Sequence, residues 1–218
     1  MIALALGCSK SGGSGGSTGG TGGTGTSANG TGLIPLKEGN VWNYRLKNYN
    51  VSTGAVTDSS NFTLTVNGTT AANGATYYKL VNSLDNSVLL LSDLTSSTIG
   101  SIDSVGGVNF YTAFASGTGD SLQSISNWST TVSQSCTGTS KLYAYYADTT
   151  LVNLDGTVYS SSLKNDVVTF DCSSNKVLAQ VYFVKQGVGL VRFAQYIYGS
   201  GGKLELQAAW VLESQTLQ

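Results

Sequence analysis

Val41-Trp42-Asn43-Tyr44-Arg45-Leu46-Lys47 is the stretch on which the fold class turns. Trp42, Tyr44 and Leu46 occupy every second position, with Asn43, Arg45 and Lys47 between them. A period of two places alternate side chains on opposite faces, so the segment predicts a strand with one face buried. Just upstream, Leu33-Ile34-Pro35-Leu36-Lys37-Glu38-Gly39-Asn40 holds the only proline of the chain, and Gly39-Asn40 reads as the turn that launches the strand.

The same pattern recurs downstream. Phe62-Thr63-Leu64-Thr65-Val66 runs into Asn67-Gly68, and Asn73-Gly74 precedes Tyr77-Tyr78-Lys79-Leu80-Val81. Asn-Gly is a strong hairpin signal because both residues tolerate positive φ. Further short apolar runs lie at 88–91, 108–114, 128–132, 142–146, 167–170, 177–184, 190–198 and 204–212, with Asp155-Gly156 and Gly199-Ser200-Gly201-Gly202 as additional turns. No helical repeat appears, and only 94–107 reads as a loop or short helix. The expectation is an all-β domain over 33–218, an antiparallel β-sandwich or partly closed barrel of about 9–11 short strands. One proline and few lysines leave the sheet edges little chemical protection, which favours closure or capping over an open flat sheet.

Residues 9–32 are a low-complexity Gly/Ser/Thr spacer, expected to be a disordered coil with a reach of about 25–30 Å. Before it, Ala5-Leu6-Gly7-Cys8 after the apolar Met1-Ile2-Ala3-Leu4 resembles the end of a bacterial lipoprotein signal peptide. The apolar part is short and lacks a preceding basic residue, so the reading takes Met1 as an internal start with the true signal beginning upstream. The resemblance implies that Cys8 is lipidated, which would anchor everything after it to a membrane. More than one acyl chain makes such attachment lasting.

About 185 residues follow the spacer, enough for one domain with a real core. The formal net charge is −1, so nothing electrostatic points to nucleic acid. Charged residues are 11% of the chain, far below the usual share of about 25%. Ser, Thr, Asn and Tyr carry the polarity instead, which suits an extracytoplasmic β-protein. With Cys8 assigned to lipid, Cys136 and Cys172 remain as a pair. A bridge between them in an oxidising compartment would stabilise the fold by roughly 3–4 kcal/mol.

The opening Pro35-Leu36-Lys37-Glu38-Gly39-Asn40-Val41-Trp42-Asn43-Tyr44 resembles the Pro-Leu-x-x-Gly-Asn-x-Trp-x-Tyr start of uncharacterised secreted lipoproteins of Bacteroidota-type bacteria. Tyr182-Phe183-Val184-Lys185-Gln186-Gly187-Val188-Gly189-Leu190-Val191-Arg192 is similar to a second segment of such proteins, a Gly-Val-Gly turn followed by a strand. The resemblance implies a β-rich fold outside the cytoplasm and brings no activity with it. Ser9, directly after Cys8, agrees with sorting to the outer membrane, facing the periplasm or the cell surface. Asp103-Ser104-Val105, Asp120-Ser121-Leu122 and Asp148-Thr149-Thr150 resemble the tripeptides at which Bacteroidota O-glycosylate exported proteins.

The chain contains no histidine, which excludes Ser-His-Asp and Cys-His catalysis and imidazole zinc sites. A carboxylate pair is the remaining catalytic device, with Asp166 and Asp171 combined with Asp148 or Asp155, yet each sits where a strand end or turn already calls for Asp. Asn153-Leu154-Asp155-Gly156 resembles part of a calcium loop but lacks its repeated acids, and reads as a hairpin turn. No metal or cofactor is expected. Tyr143 and Tyr145 share a face, as do Tyr196 and Tyr198, and these four are the candidate ligand-binding residues, with cross-strand packing as their competing role. The reading is therefore a monomeric, membrane-anchored, non-catalytic β-domain that binds a glycan, a peptide or a neighbouring envelope protein. A carrier enclosing a hydrophobic ligand and a carboxylate-dependent hydrolase are its rivals.

Overall fold

A computed structural model of the protein describes residues 33–72, 74–93, 96–102, 108–115, 124–146, 151–152, 158–159 and 162–218. Cys8, the spacer, the three Asp-Ser/Thr tripeptides and the turn around Asp155 lie outside the described residues.

The strands are β1 (Val41–Tyr49), β2 (Val56–Ala72), β3 (Ala75–Asn82), β4 (Val88–Asp93), β5 (Ser96–Ile102), β6 (Val108–Ala115), β7 (Ser126–Ser133), β8 (Cys136–Tyr146), β9 (Leu151–Val152), β10 (Val158–Tyr159), β11 (Leu163–Phe170), β12 (Lys176–Lys185), β13 (Gly189–Tyr198) and β14 (Leu204–Thr216). Twelve form one antiparallel sheet in the order β6-β5-β4-β3-β2-β1-β14-β13-β12-β11-β8-β7, and β9 and β10 pair separately. The sheet curls on itself. Phe114 of β6 packs edge-on against Tyr182 of β12 with ring centroids 5.1 Å apart, although eight steps of the sheet order separate these strands. β6 also comes back against β7 and β8 at the opposite edge. This is the expected all-β antiparallel fold, a sheet curled back toward its opposite edge rather than open and flat.

Three details depart from the sequence reading. There are more strands than expected, because β5 falls in a Ser/Gly-rich segment and β9 and β10, two residues each, are too short to show alternation. β5 pairs on both sides, with β4 and β6, so ladder hydrogen bonds turn part of 94–107 into a strand. Lastly, Asn67-Gly68 does not reverse the chain. β2 runs through it for 17 residues, with a register shift between Val66 and Thr69 and Gly68 at φ 74°. Positive φ serves a bulge as well as a turn, and the reversal waits for Gly74.

Trp42, Tyr44 and Leu46 point inward as the alternation predicts. They join a line of aromatic contacts: Tyr44 on Phe62 at 5.2 Å, Phe62 on Trp210 at 5.0 Å, Trp210 on Phe193 at 4.6 Å and Phe193 on Tyr182 at 5.0 Å. Each such pair contributes about 0.5–1.5 kcal/mol beyond its buried area.

The opening segment closes one end of this core, called here the near end. Leu33, Ile34 and Leu36 are buried there. Asn40, also buried, donates from Nδ2 to the Pro35 carbonyl at 2.6 Å and accepts from the Gln218 N–H at 2.8 Å. Its backbone carbonyl accepts from Val66 N at 2.9 Å. The two family-like segments also meet here. Trp42 Nε1 donates to the Val188 carbonyl at 2.7 Å and Tyr44 Oη to the Leu190 carbonyl at 2.8 Å, so the Trp-x-Tyr pair holds the Gly-Val-Gly turn. Gly189 has φ 103°, and a Cβ there would lie 3.2 Å from Trp42 Nε1. The turns at 50–55, 134–135, 171–175 and 199–203 gather at the other, far end.

Candidate functional site

The four candidate tyrosines all lie on the outer face of four successive strands. Register places Tyr143 of β8 beside Asp166 of β11, then Val181 and Ala194; Tyr145 beside Lys164, then Phe183 and Arg192; and Tyr196 beside Ala179. Ala179 and Ala194 are buried small residues of this face, which carries Val181, Phe183 and Arg192 in the rows of Tyr143 and Tyr145.

An ion pair stands beside Tyr143 and Tyr145. Lys164 Nζ contacts Asp166 Oδ2 at 2.9 Å and lies 5.6 Å from the centre of the Tyr145 ring. Asp166 Oδ1 is buried with no partner among the described residues. Partial burial raises the Tyr145 and Tyr198 hydroxyls above the ordinary tyrosine range, and the Asp166 carboxylate adds to both shifts. One charge thus reaches a tyrosine from each pair. At neutral pH the Tyr145 and Tyr198 hydroxyls therefore stay protonated on the face that holds the half-buried ion pair.

Cys136 and Cys172 are bridged, with Cα atoms 5.5 Å apart, and tie the start of β8 to the turn after β11 at the far end. Asp171 caps that turn, accepting from the N–H groups of Ser173 at 2.9 Å and Asn175 at 2.8 Å. Those bonds hold its carboxyl below the usual range, the Asn175 N–H being the main cause. Of the carboxylates considered for hydrolysis, Asp166 is thus engaged with lysine and Asp171 with its own turn, while Asp148 and Asp155 lie outside the described residues. Among the described residues no three metal-ligating side chains gather. No helix among them is long and apolar enough to cross a membrane.

The inner face carries a feature that the sequence did not announce. Gln180 Nε2 donates to Gln195 Oε1 at 3.1 Å, Gln195 Nε2 donates to Gln207 Oε1 at 2.6 Å, and Tyr182 Oη donates to Gln180 Oε1 at 3.2 Å. Gln207 reaches the ladder because β14 bulges there, its register skipping from Ala208 to Leu206. Alongside, Thr130, Ser140 and Thr169 share hydroxyl bonds of 2.7 and 2.8 Å. The glutamine ladder crosses β12, β13 and β14 as a polar strip on the far-end side of the aromatic core. Register continues its row into the buried apolar Val167 of β11 and Leu142 of β8, while the hydroxyl ladder of β7, β8 and β11 is itself buried at Ser140 and Thr169.

Nearer the plug, Ile34, Trp42, Leu64, Leu91, Phe114 and Trp210 help line a wholly apolar cavity of about 50 Å³. Sites for drug-sized ligands run to roughly 300 Å³ and above. Among the described residues the inward apolar side chains thus largely fill this part of the core, leaving less room there than a hydrophobic carrier needs.

No family model matches the chain, and no curated protein matches it. Solved structures do. A candidate lipoprotein from Parabacteroides distasonis is similar with a TM-score of 0.50 and 13% identity, over 87% of this chain and 100% of the other. A candidate exported protein with a YmcC-like fold from Bacteroides fragilis gives 0.47 and 12%, over 86% and 100%. At this identity the first likeness is one of fold.

Proposed function

We propose that this protein is an exported envelope lipoprotein, held through lipid on Cys8 at the outer membrane, whose non-catalytic β-domain docks a neighbouring envelope protein. The carrying observation is the outer face of β8, β11, β12 and β13, where Tyr143 and Tyr145 lie beside the Lys164–Asp166 pair and Tyr196 and Tyr198 stand two strands away on the same face. Tyrosine and arginine are enriched at protein interfaces because a large ring with a polar tip works on both the dry and the wet side of the contact. A broad sheet face also matches an extended partner better than a small molecule. The Cys136–Cys172 bridge and the low charge support export.

Photoreactive phenylalanine analogues at Tyr145 and Tyr196, compared with the exposed loop residue Ser87, provide the test in living cells. A discrete adduct from both tyrosine positions and none from Ser87 is the expected result. Identical adducts from all three positions, or none from any, would remove the outer face from consideration.

A further inference from the structure

We propose that the polar strip of the inner face is a second binding site, for a neutral oligosaccharide. One row before the strip, the same face carries Phe193 and Trp210, both buried apolar rings. The ladder's own row continues apolar through the buried Val167 and Leu142, so the glutamines are amides set at the edge of a core row, where unpaired groups are costly. Three glutamines in a row instead share their hydrogen bonds head to tail.

The ladder leaves capacity over. A glutamine amide has two N–H donors, and the ladder uses one from Gln180 and one from Gln195. It ends on Gln207, which serves it only as an acceptor. All three residues are half-buried, within reach of solvent at the far end. The strip carries no formal charge, so it has no claim on an ion. Its complement is a neutral molecule that donates and accepts hydrogen bonds at short, repeated intervals, which describes the hydroxyls of a sugar chain. The site lies at the opposite end of the strands from Leu33, where the spacer enters, so an anchored domain would present it away from the membrane. It is independent of the tyrosine face, which lies on the other side of the same sheet.

The test follows glutamine side-chain amide signals by NMR in the full chain, titrated with millimolar cellohexaose, chitohexaose and maltohexaose. Movement of the Gln195 and Gln207 signals with at least one of these sugars is the expected result. Gln207→Glu keeps the oxygen that Gln195 needs and removes the spare donors, so it should weaken that binding about tenfold without changing the near-ultraviolet dichroism. Ladder signals unmoved by all three sugars, shifts confined to the outer-face strands, or a folded Gln207→Glu chain that binds like the parent would overturn the proposal. The wild-type titration decides alone should the variant not fold.

Discussion

Replacing Asn40 by alanine tests how the fold is closed. The side chain makes two hydrogen bonds, one to the Pro35 carbonyl and one from the Gln218 N–H, and is 1% exposed. A buried carbonyl stripped of its donor costs about 1–3 kcal/mol. Gln218 is exposed, so water can replace the lost acceptor and the loss of this bond contributes only about 0.5–1 kcal/mol. The sum is a destabilisation of roughly 1.5–4 kcal/mol, to which the small void left by the amide adds little. Leu33, Ile34 and Leu36 should loosen with it, because the Pro35 contact pins the plug against β1. Equilibrium unfolding in urea, with the slope checked for constancy, measures the change. A loss below about 0.5 kcal/mol at unchanged slope would mean that the plug is held by apolar burial alone, and the role given to the amide would be wrong.

Three further outcomes are expected. Burial holds the Tyr44 hydroxyl well above the ordinary tyrosine range, so above pH 10 the unfolded chain loses this proton while the folded one keeps it. Its contribution is therefore complete below that pH and falls as pH rises, by at most about 1.4 kcal/mol per pH unit; Tyr44→Phe should flatten alkaline unfolding curves. Changing Cys136 and Cys172 together to serine opens a link between residues 36 apart in sequence and should cost about 3–4 kcal/mol in thermal or urea unfolding, a loss that added reductant reproduces in the parent chain. Gly189→Ala must accept φ 103° and a close approach to Trp42, and should lower stability by about 1–3 kcal/mol, read as a drop in melting temperature.

Much of this architecture is written locally. Trp42, Tyr44 and Leu46 alternate because one side of β1 faces the core, and a period of two is visible without any partner strand. The tyrosine pairs were legible for the same reason, since residues two apart on a strand share a face. That both pairs belong to one surface was not legible, because sheet order brings β8 and β13 together across β11 and β12. Asn67-Gly68 misled because its backbone preference fits a bulge as readily as a turn, and pairing with β3 on the far side decides between them. The glutamine ladder had no signal at all. Gln180, Gln195 and Gln207 lie 15 and 12 residues apart in sequence, and polar residues in strands normally read as solvent-facing. Only the register, with its bulge at Gln207, aligns them.

The envelope assignment rests on Cys8, and the modification of that residue can be weighed directly. Cells expressing the full precursor, fed an alkyne-bearing fatty acid and fractionated, should yield a labelled protein in the membrane fraction whose mature N-terminus is acylated Cys8, and Cys8→Ser should abolish both the label and the fractionation. An unlabelled protein, or one in which mass spectrometry finds Cys8 unmodified inside a longer peptide, would contradict the account.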